Sequence, residues 1–201
     1  MIMPQINLNR TVSLMKHMFQ ISNNAEMEIL LVLLRGKTHL REISRTINLS
    51  PATVLRKLSE LADNGIVDYV KEGKNNVYSI KNNLMAKQAV YRAENYKLTK
   101  LLKKYPELSI ILEDVSRKIK DEVVILFGSY AKFSANKESD IDIYVETKDN
   151  SLRKDLKSIN SKINGKIGEF DIDSLLIKEI IKNHVILRGA EKFYDKTKFF
   201  E

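Results

Sequence analysis

The segment from Val123 to Val145 constrains the fold of this chain more than any other. Val123-Val124-Ile125-Leu126-Phe127 is a β-branched and aromatic run with the length of one buried strand. It breaks at Gly128-Ser129. Glycine there permits unusual dihedrals and lets the backbone come close to a ligand. Ser129 adds a hydroxyl and an N–H at the expected start of a short helix, a place that favours anions. After roughly ten residues comes Ser139-Asp140-Ile141-Asp142-Ile143-Tyr144-Val145. Side chains alternate along a strand, so Asp140 and Asp142 share a face about 6.5 Å apart, and Ile141, Ile143 and Val145 take the core side. Two carboxylates held side by side repel unless a cation lies between them. Mg²⁺ suits such a place, because it takes one or two carboxylates together with substrate phosphates.

An apolar strand, Gly-Ser, about ten residues and then Asp-x-Asp is a pattern that resembles the DNA polymerase β-like nucleotidyltransferase superfamily. The resemblance is nearest to its small prokaryotic branch, the minimal nucleotidyltransferases, and covers about Val123 to Tyr194. Gly128-Ser129-Tyr130-Ala131 and Ser139-Asp140-Ile141-Asp142 match it at both ends. Where the family usually has Arg-Gly, this chain has Lys132-Phe133. Lys132 keeps a cation but lacks the bidentate fork of arginine, and Phe133 puts a bulky residue in place of a flexible one.

The resemblance implies a third acidic residue on a neighbouring strand. Gly168 to Leu175 offers Asp171 and Asp173 on one face, opposite Phe170 and Ile172. The family's apolar-Asp-apolar pattern favours Asp171, with Asp173 as its competitor; an edge strand with a solvated acidic face is the bland alternative. By the same resemblance Asp140, Asp142 and Asp171 form the catalytic and metal-binding set for Mg²⁺ or Mn²⁺. Gly128, Ser129 and Lys132 hold the phosphates of a nucleoside triphosphate such as ATP. The implied reaction transfers a nucleoside monophosphate to an acceptor, releases pyrophosphate and follows in-line displacement.

The first half reads differently. Ala25 to Leu34 is a helical stretch ending at Gly36, and Thr38 to Ile47 places Leu40, Ile43 and Ile47 at helical spacing. Ser50-Pro51 supplies an N-cap and a first-turn proline for a helix running to about Asp63, with Val54, Leu55, Leu58 and Leu61 on its buried stripe and Asn64-Gly65 closing it. Ile66 to Lys71 and Asn76 to Ile80 alternate as a hairpin around Gly73. Three helices followed by a hairpin is the order of a winged helix-turn-helix, and Ser50 to Val67 is similar to the recognition helix and first wing strand of small prokaryotic regulators. Ala52, Thr53, Arg56 and Lys57 are expected at the major groove or its phosphates. Lys71, Lys74, Asn75 and Asn76 would make backbone contacts from the wing. Winged helices also serve as protein-interaction modules, and residues 1–82 carry a charge of only about +4, from 11 Lys and Arg against seven Asp and Glu.

Leu84 to Tyr105 lacks Gly and Pro and reads as one long helix closed by Pro106. Leu84, Tyr91, Leu98 and Tyr105 recur every seven residues, which fits either a short homodimer seam or a stripe packed on one of the domains. Leu108 to Lys120 and Ser151 to Ile163 are further helices, and Leu175 to Asn183 precedes a short strand at Val185 to Leu187.

The whole reads as an α/β (α+β) protein. A winged helix-turn-helix domain spans residues 1–82, a helical linker 83–106 and a mixed-sheet nucleotidyltransferase domain 107–201. With no Cys there is no disulfide and no thiolate zinc site, and His17, His39 and His184 show no metal-ligand spacing. Met1 to Arg10 lacks the apolar core of a signal peptide, and the longest apolar run, Ile29 to Leu34, is too short for a bilayer. A cytoplasmic location is expected. The net charge of +8 suits a polyanionic partner. Two functions follow. One is a metal-dependent nucleotidyltransferase with a duplex-DNA-binding domain. The other is a DNA-binding regulator or antitoxin whose nucleotidyltransferase domain only binds a partner. The resemblance suggests a HEPN-type toxin as protein partner or acceptor, since minimal nucleotidyltransferases often pair with such toxins.

Overall fold

The computed structural model describes residues 24–120 and 123–201, so Met1 to Arg10 and His17 lie outside the described residues. The chain divides into two compact units, Met1–Val90 and Tyr91–Glu201.

In the first unit a helix over residues 24–33 (α1) is followed by a short strand, Thr38–His39 (β1), and two helices, Leu40–Ile47 (α2) and Pro51–Asp63 (α3). The α2–α3 turn is tight because Asn48 adopts a left-handed conformation, φ 54°, which Asn tolerates better than most residues. Ser50 then caps α3 by accepting from the Thr53 N–H. Strands Val67–Glu72 (β2) and Asn75–Ile80 (β3) pair as a hairpin, with Gly73 at φ 60° in the turn, as two-residue hairpin turns require. β1 adds to β3, giving the order β1-β3-β2. Ile29, Leu30, Ile43, Val54 and Leu58 are fully buried between these elements. Thr38 and His39 therefore open the segment as strand rather than helix.

Helix Leu84–Lys104 (α4) crosses the division between the units. Its buried stripe is Ala86, Ala89, Val90, Ala93, Glu94 and Leu101, and Leu84 at the head of the heptad series is 73% exposed. The second unit continues with Leu108–Lys118 (α5), Val124–Phe127 (β4), Gly128–Ala131 (α6), Ile141–Glu146 (β5), Leu152–Ile159 (α7), Ile163–Gly168 (β6), Leu175–Lys182 (α8), Val185–Arg188 (β7) and Ala190–Lys196 (α9). The sheet order is β6-β5-β4-β7. β4 is antiparallel to both β5 and β7, and β5 runs parallel to β6 through the α7 crossover. Ile141, Ile143 and Val145 join α5, α7 and β4 in one core, the face expected of them.

The third strand beside the Asp-x-Asp strand is thus Ile163–Gly168, where a helix was expected to run on to Ile163. Gly168 to Leu175 is not a strand: it forms the end of β6, a turn, and Ser174, which caps α8. The reason lies at Gly165. A Cβ there would stand 2.8 Å from Leu156 Cδ1, so the glycine lets α7 lie close on β6 although it weakens the strand signal in the sequence.

Candidate active site and nucleic-acid interface

Asp140 immediately precedes β5 and is exposed; Asp142 is its second residue and is half-buried. Asp142 lies between two strands, paired with Phe127 on β4 and Asn164 on β6. Because Phe127 ends β4, the Gly128 turn arrives beside the Asp142 carboxylate. Gly128 takes φ 69°, and a Cβ on it would stand 2.1 Å from Asp142 Oδ2. No side chain fits there without moving that carboxylate. The structure therefore brings Gly128, Ser129, Asp140 and Asp142 to one end of β4 and β5.

Asp171 is not placed with them. The β5–β6 ladder runs from Asp142 beside Asn164 to Glu146 beside Gly168, so the chain leaves β6 at the far end, roughly 13 Å along the strand at 3.3 Å per residue. Asp171 and Asp173 follow in the turn there. Asp171 Oδ1 accepts the Asp173 N–H and its carbonyl accepts the Ser174 hydroxyl, so it shapes the entry to α8. Among the described residues no three His, Cys, Asp or Glu side chains gather closely enough to hold a metal. The neighbouring-strand position facing Asp142 is Asn164, whose Nδ2 donates to Asp142 Oδ1 at 2.7 Å. The alternation of buried Ile163 and Gly165 puts Asn164 on the Asp142 face. That pattern was present in the sequence but hidden by two glycines and a lysine in six residues.

Asp140 and Asp142 are the residues that could hold one Mg²⁺ or Mn²⁺, with the rest of its coordination left to phosphate and water. They do not supply the three-carboxylate set expected from the resemblance.

Lys132 Nζ reaches Glu179 Oε1 on α8 at 2.9 Å, both side chains being partly exposed. Phe133 adopts φ 57°, the left-handed region where a glycine would be at ease. Two lysines of α4 flank it: Lys100 and Lys104 Nζ each lie 5.9 Å from its ring centroid, and Lys104 donates to its carbonyl.

On the first unit, Thr53 is bound up with the cap, its hydroxyl 2.8 Å from that of Ser50. Arg56 is exposed and pairs with Glu60 at 2.7 Å. Lys74 sits exposed in the wing turn. Lys57 is not available to DNA. It is 3% exposed, and its Nζ meets Glu26 at 2.8 Å and Glu60 across one turn. Burial would lower its pKa, yet hydrogen bonds and charge from Glu26 and Glu60 outweigh that and raise it. Leu55, expected on the buried stripe, is 46% exposed. The outward face of α3 is thus Ala52, Leu55, Arg56 and Ser59, a mixture that can meet thymine methyls as well as polar base edges.

Residues 108–196 match the family model of the nucleotidyltransferase domain, and residues 23–68 match that of the winged helix-turn-helix DNA-binding domain. No curated protein matches the chain. Similar solved structures include the adhesin competence repressor of Streptococcus pyogenes, 15% identical over 58% of this chain and 98% of that one, with a TM-score of 0.35. The homodimeric winged helix-turn-helix DNA-binding domain of a Mycobacterium bovis protein is 20% identical over 53% and 94%, at 0.31. A toxin-antitoxin with AMP-PNP is 25% identical over 53% and 80%, at 0.32. At such TM-scores none of the three serves as a template for this chain.

Proposed function

We propose that this chain, which joins a winged helix-turn-helix DNA-binding domain to a nucleotidyltransferase domain, binds duplex DNA with the first and a metal-bound nucleoside triphosphate with the second, and passes nucleoside monophosphate to an acceptor. The observation that carries the nucleotide reading is the close packing of Gly128 on the Asp142 carboxylate. It sets the Gly128-Ser129 turn beside the Asp140 and Asp142 end of β5. Gly128 and Ser129 offer N–H and hydroxyl donors to the phosphates. Asp140 and Asp142 would hold Mg²⁺ or Mn²⁺, which when bound offsets phosphate charge. The chain's own contribution is position and electrostatics.

The test is incubation with labelled nucleoside triphosphates, Mg²⁺ or Mn²⁺, and RNA, DNA and protein acceptors. Thermal shift with Mg²⁺-ATP runs alongside. Asp140→Asn with Asp142→Asn should keep the fold and lose the ligand-induced stabilisation. Equal stabilisation of wild type and double variant would remove the metal-site reading.

Asn164, in the place a third carboxylate would take, favours a second reading: a cytoplasmic DNA-binding regulator or antitoxin whose nucleotidyltransferase domain holds a nucleotide or a protein partner, such as a HEPN-type toxin, without transfer. Failure of labelling with every acceptor, alongside intact nucleotide and DNA binding, selects this reading.

A further inference from the structure

We propose that Asn164 limits the nucleotide site to a single divalent ion, and so slows the transfer proposed above. The inference rests on the nucleotide-binding reading above.

Asn164 faces Asp142 across the parallel β5–β6 ladder and donates Nδ2–H to its Oδ1 at 2.7 Å. Asp142 Oδ2 meanwhile lies against the Gly128 backbone. Both oxygens of this carboxylate therefore have a fixed neighbour within the protein. The hydrogen bond uses one of the amide's two N–H donors, turns the nitrogen toward Asp142 and leaves a neutral carbonyl oxygen, which carries no charge to offset a second cation. Asp140 and Asp142 together balance one divalent ion. A second ion usually lies roughly 3.5–4 Å from the first in such two-ion sites, and it would find only neutral ligands on β6.

Asn164 also offers no proton acceptor. In transfer, an acceptor hydroxyl oxygen bonds to the α-phosphorus, the bond from that phosphorus to the bridging oxygen breaks, pyrophosphate leaves, and the hydroxyl proton must go to a base. An amide nitrogen engaged as a donor cannot take it. Asp171, at the opposite end of the ladder, does not stand in.

Asn164→Asp reverses both effects: it places a carboxylate against Asp142, which repels until a cation intervenes. Mn²⁺ binding is counted by electron paramagnetic resonance with α,β-methylene-ATP, which cannot undergo the bond cleavage. Wild type should bind one Mn²⁺ per chain and Asn164→Asp two, and the aspartate variant should gain Mn²⁺-dependent labelling from α-labelled ATP by at least tenfold. Asn164→Ala should still bind one. The aspartate variant should melt below wild type without metal and recover in excess Mn²⁺, which separates metal binding from misfolding. Two ions in wild type, or one in both proteins with no gain of labelling, overturns the role of Asn164 while leaving nucleotide binding in place. No ATP-dependent Mn²⁺ in any of the proteins overturns the nucleotide-binding reading and this inference with it.

Discussion

At Gly128 two demands meet: a positive φ of 69° and a carboxylate oxygen 2.1 Å from where a Cβ would sit. The first favours glycine and the second demands it, and together they make the position sensitive to one methyl group. Gly128→Val should abolish nucleotide binding, and Gly128→Ala should cost stability by about 1–2 kcal/mol from the left-handed backbone alone. Ser129→Ala should be milder, about 1 kcal/mol in nucleotide affinity for one hydrogen bond. Calorimetric titration with Mg²⁺-ATP checks the two affinities and urea unfolding the Gly128→Ala stability, and unchanged affinity in Gly128→Val would mean that the turn does not touch phosphate. Arg56, Lys57 and Lys74 separate by environment in the same way. Arg56→Ala and Lys74→Ala should each reduce the salt slope of duplex binding by about one. Lys57→Met should leave that slope alone, because its ammonium is spent on Glu26 and Glu60 inside the unit. A slope that changes with Lys57 and not with Arg56 would reverse the assignment.

Among the elements, α4 carries a buried charge into the second unit. Glu94 is 2% exposed, and its Oε1 accepts from the Tyr194 hydroxyl at 2.8 Å and lies 3.3 Å from His184 Nε2. His184 Nδ1 faces the carbonyls of Ile180 and Ile181 at the end of α8. Burial pushes the Glu94 pKa up, but the His184 hydrogen bond, the charges of Lys97 and His184 and the Tyr194 hydroxyl together bring it below the usual value. A carboxylate whose pKa is lower folded than unfolded stabilises the fold above its unfolded pKa, and that stability is lost as pH falls through the folded one. Glu94→Gln should therefore flatten the acid limb of a stability-versus-pH curve below about pH 4.5. Glu94→Ala should cost about 3 kcal/mol at neutral pH, since it strands the polar groups of Tyr194 and His184. Urea unfolding across pH measures both, and an acid limb identical to wild type would show that Glu94 is not what titrates.

Elements with strong local signals were legible in the sequence: the Ser50-Pro51 start of α3, the Gly73 hairpin, the β4 run and the alternation of β5. What escaped depends on contacts between distant segments. β6 is Ile-Asn-Gly-Lys-Ile-Gly, whose glycine exists to admit Leu156 of α7, so its strand character comes from tertiary packing more than from propensity. Phe170 and Ile172 alternate as a strand would, yet Phe170 instead turns its ring edge-on to Tyr144 and Phe193. The expected third carboxylate, Asp171, therefore lies in the turn before α8, and the residue facing Asp142 from the neighbouring strand is Asn164. The burial of Lys57 was equally invisible, because its partner Glu26 lies 31 residues away.

Across the whole molecule, two compact units carry two different surfaces, and net charge does not tell them apart. The overall +8 is consistent with a polyanion at either one: phosphates of DNA at α3 and the wing, or a triphosphate at the β4–β5 end. Amide hydrogen exchange separates them, because a ligand that binds only the folded form raises local protection by its own binding free energy, about 2.7 kcal/mol at a hundredfold excess over Kd. Mg²⁺-ATP should slow exchange at Leu126–Lys132 and Ile141–Tyr144, and in β6 around Asn164, while leaving the turn at Asp171–Asp173 unchanged. Duplex DNA should slow it at Pro51–Ser59 and at the wing turn around Gly73. The Asp140→Asn, Asp142→Asn protein should lose the first pattern and keep the second. Nucleotide protection centred on Asp171 would restore that residue to the site and put the turn, not β6, beside the phosphates. DNA protection confined to the second unit would leave the winged helix as an interaction module, and the chain's positive charge would then serve to attract an acceptor nucleic acid to the transferase domain.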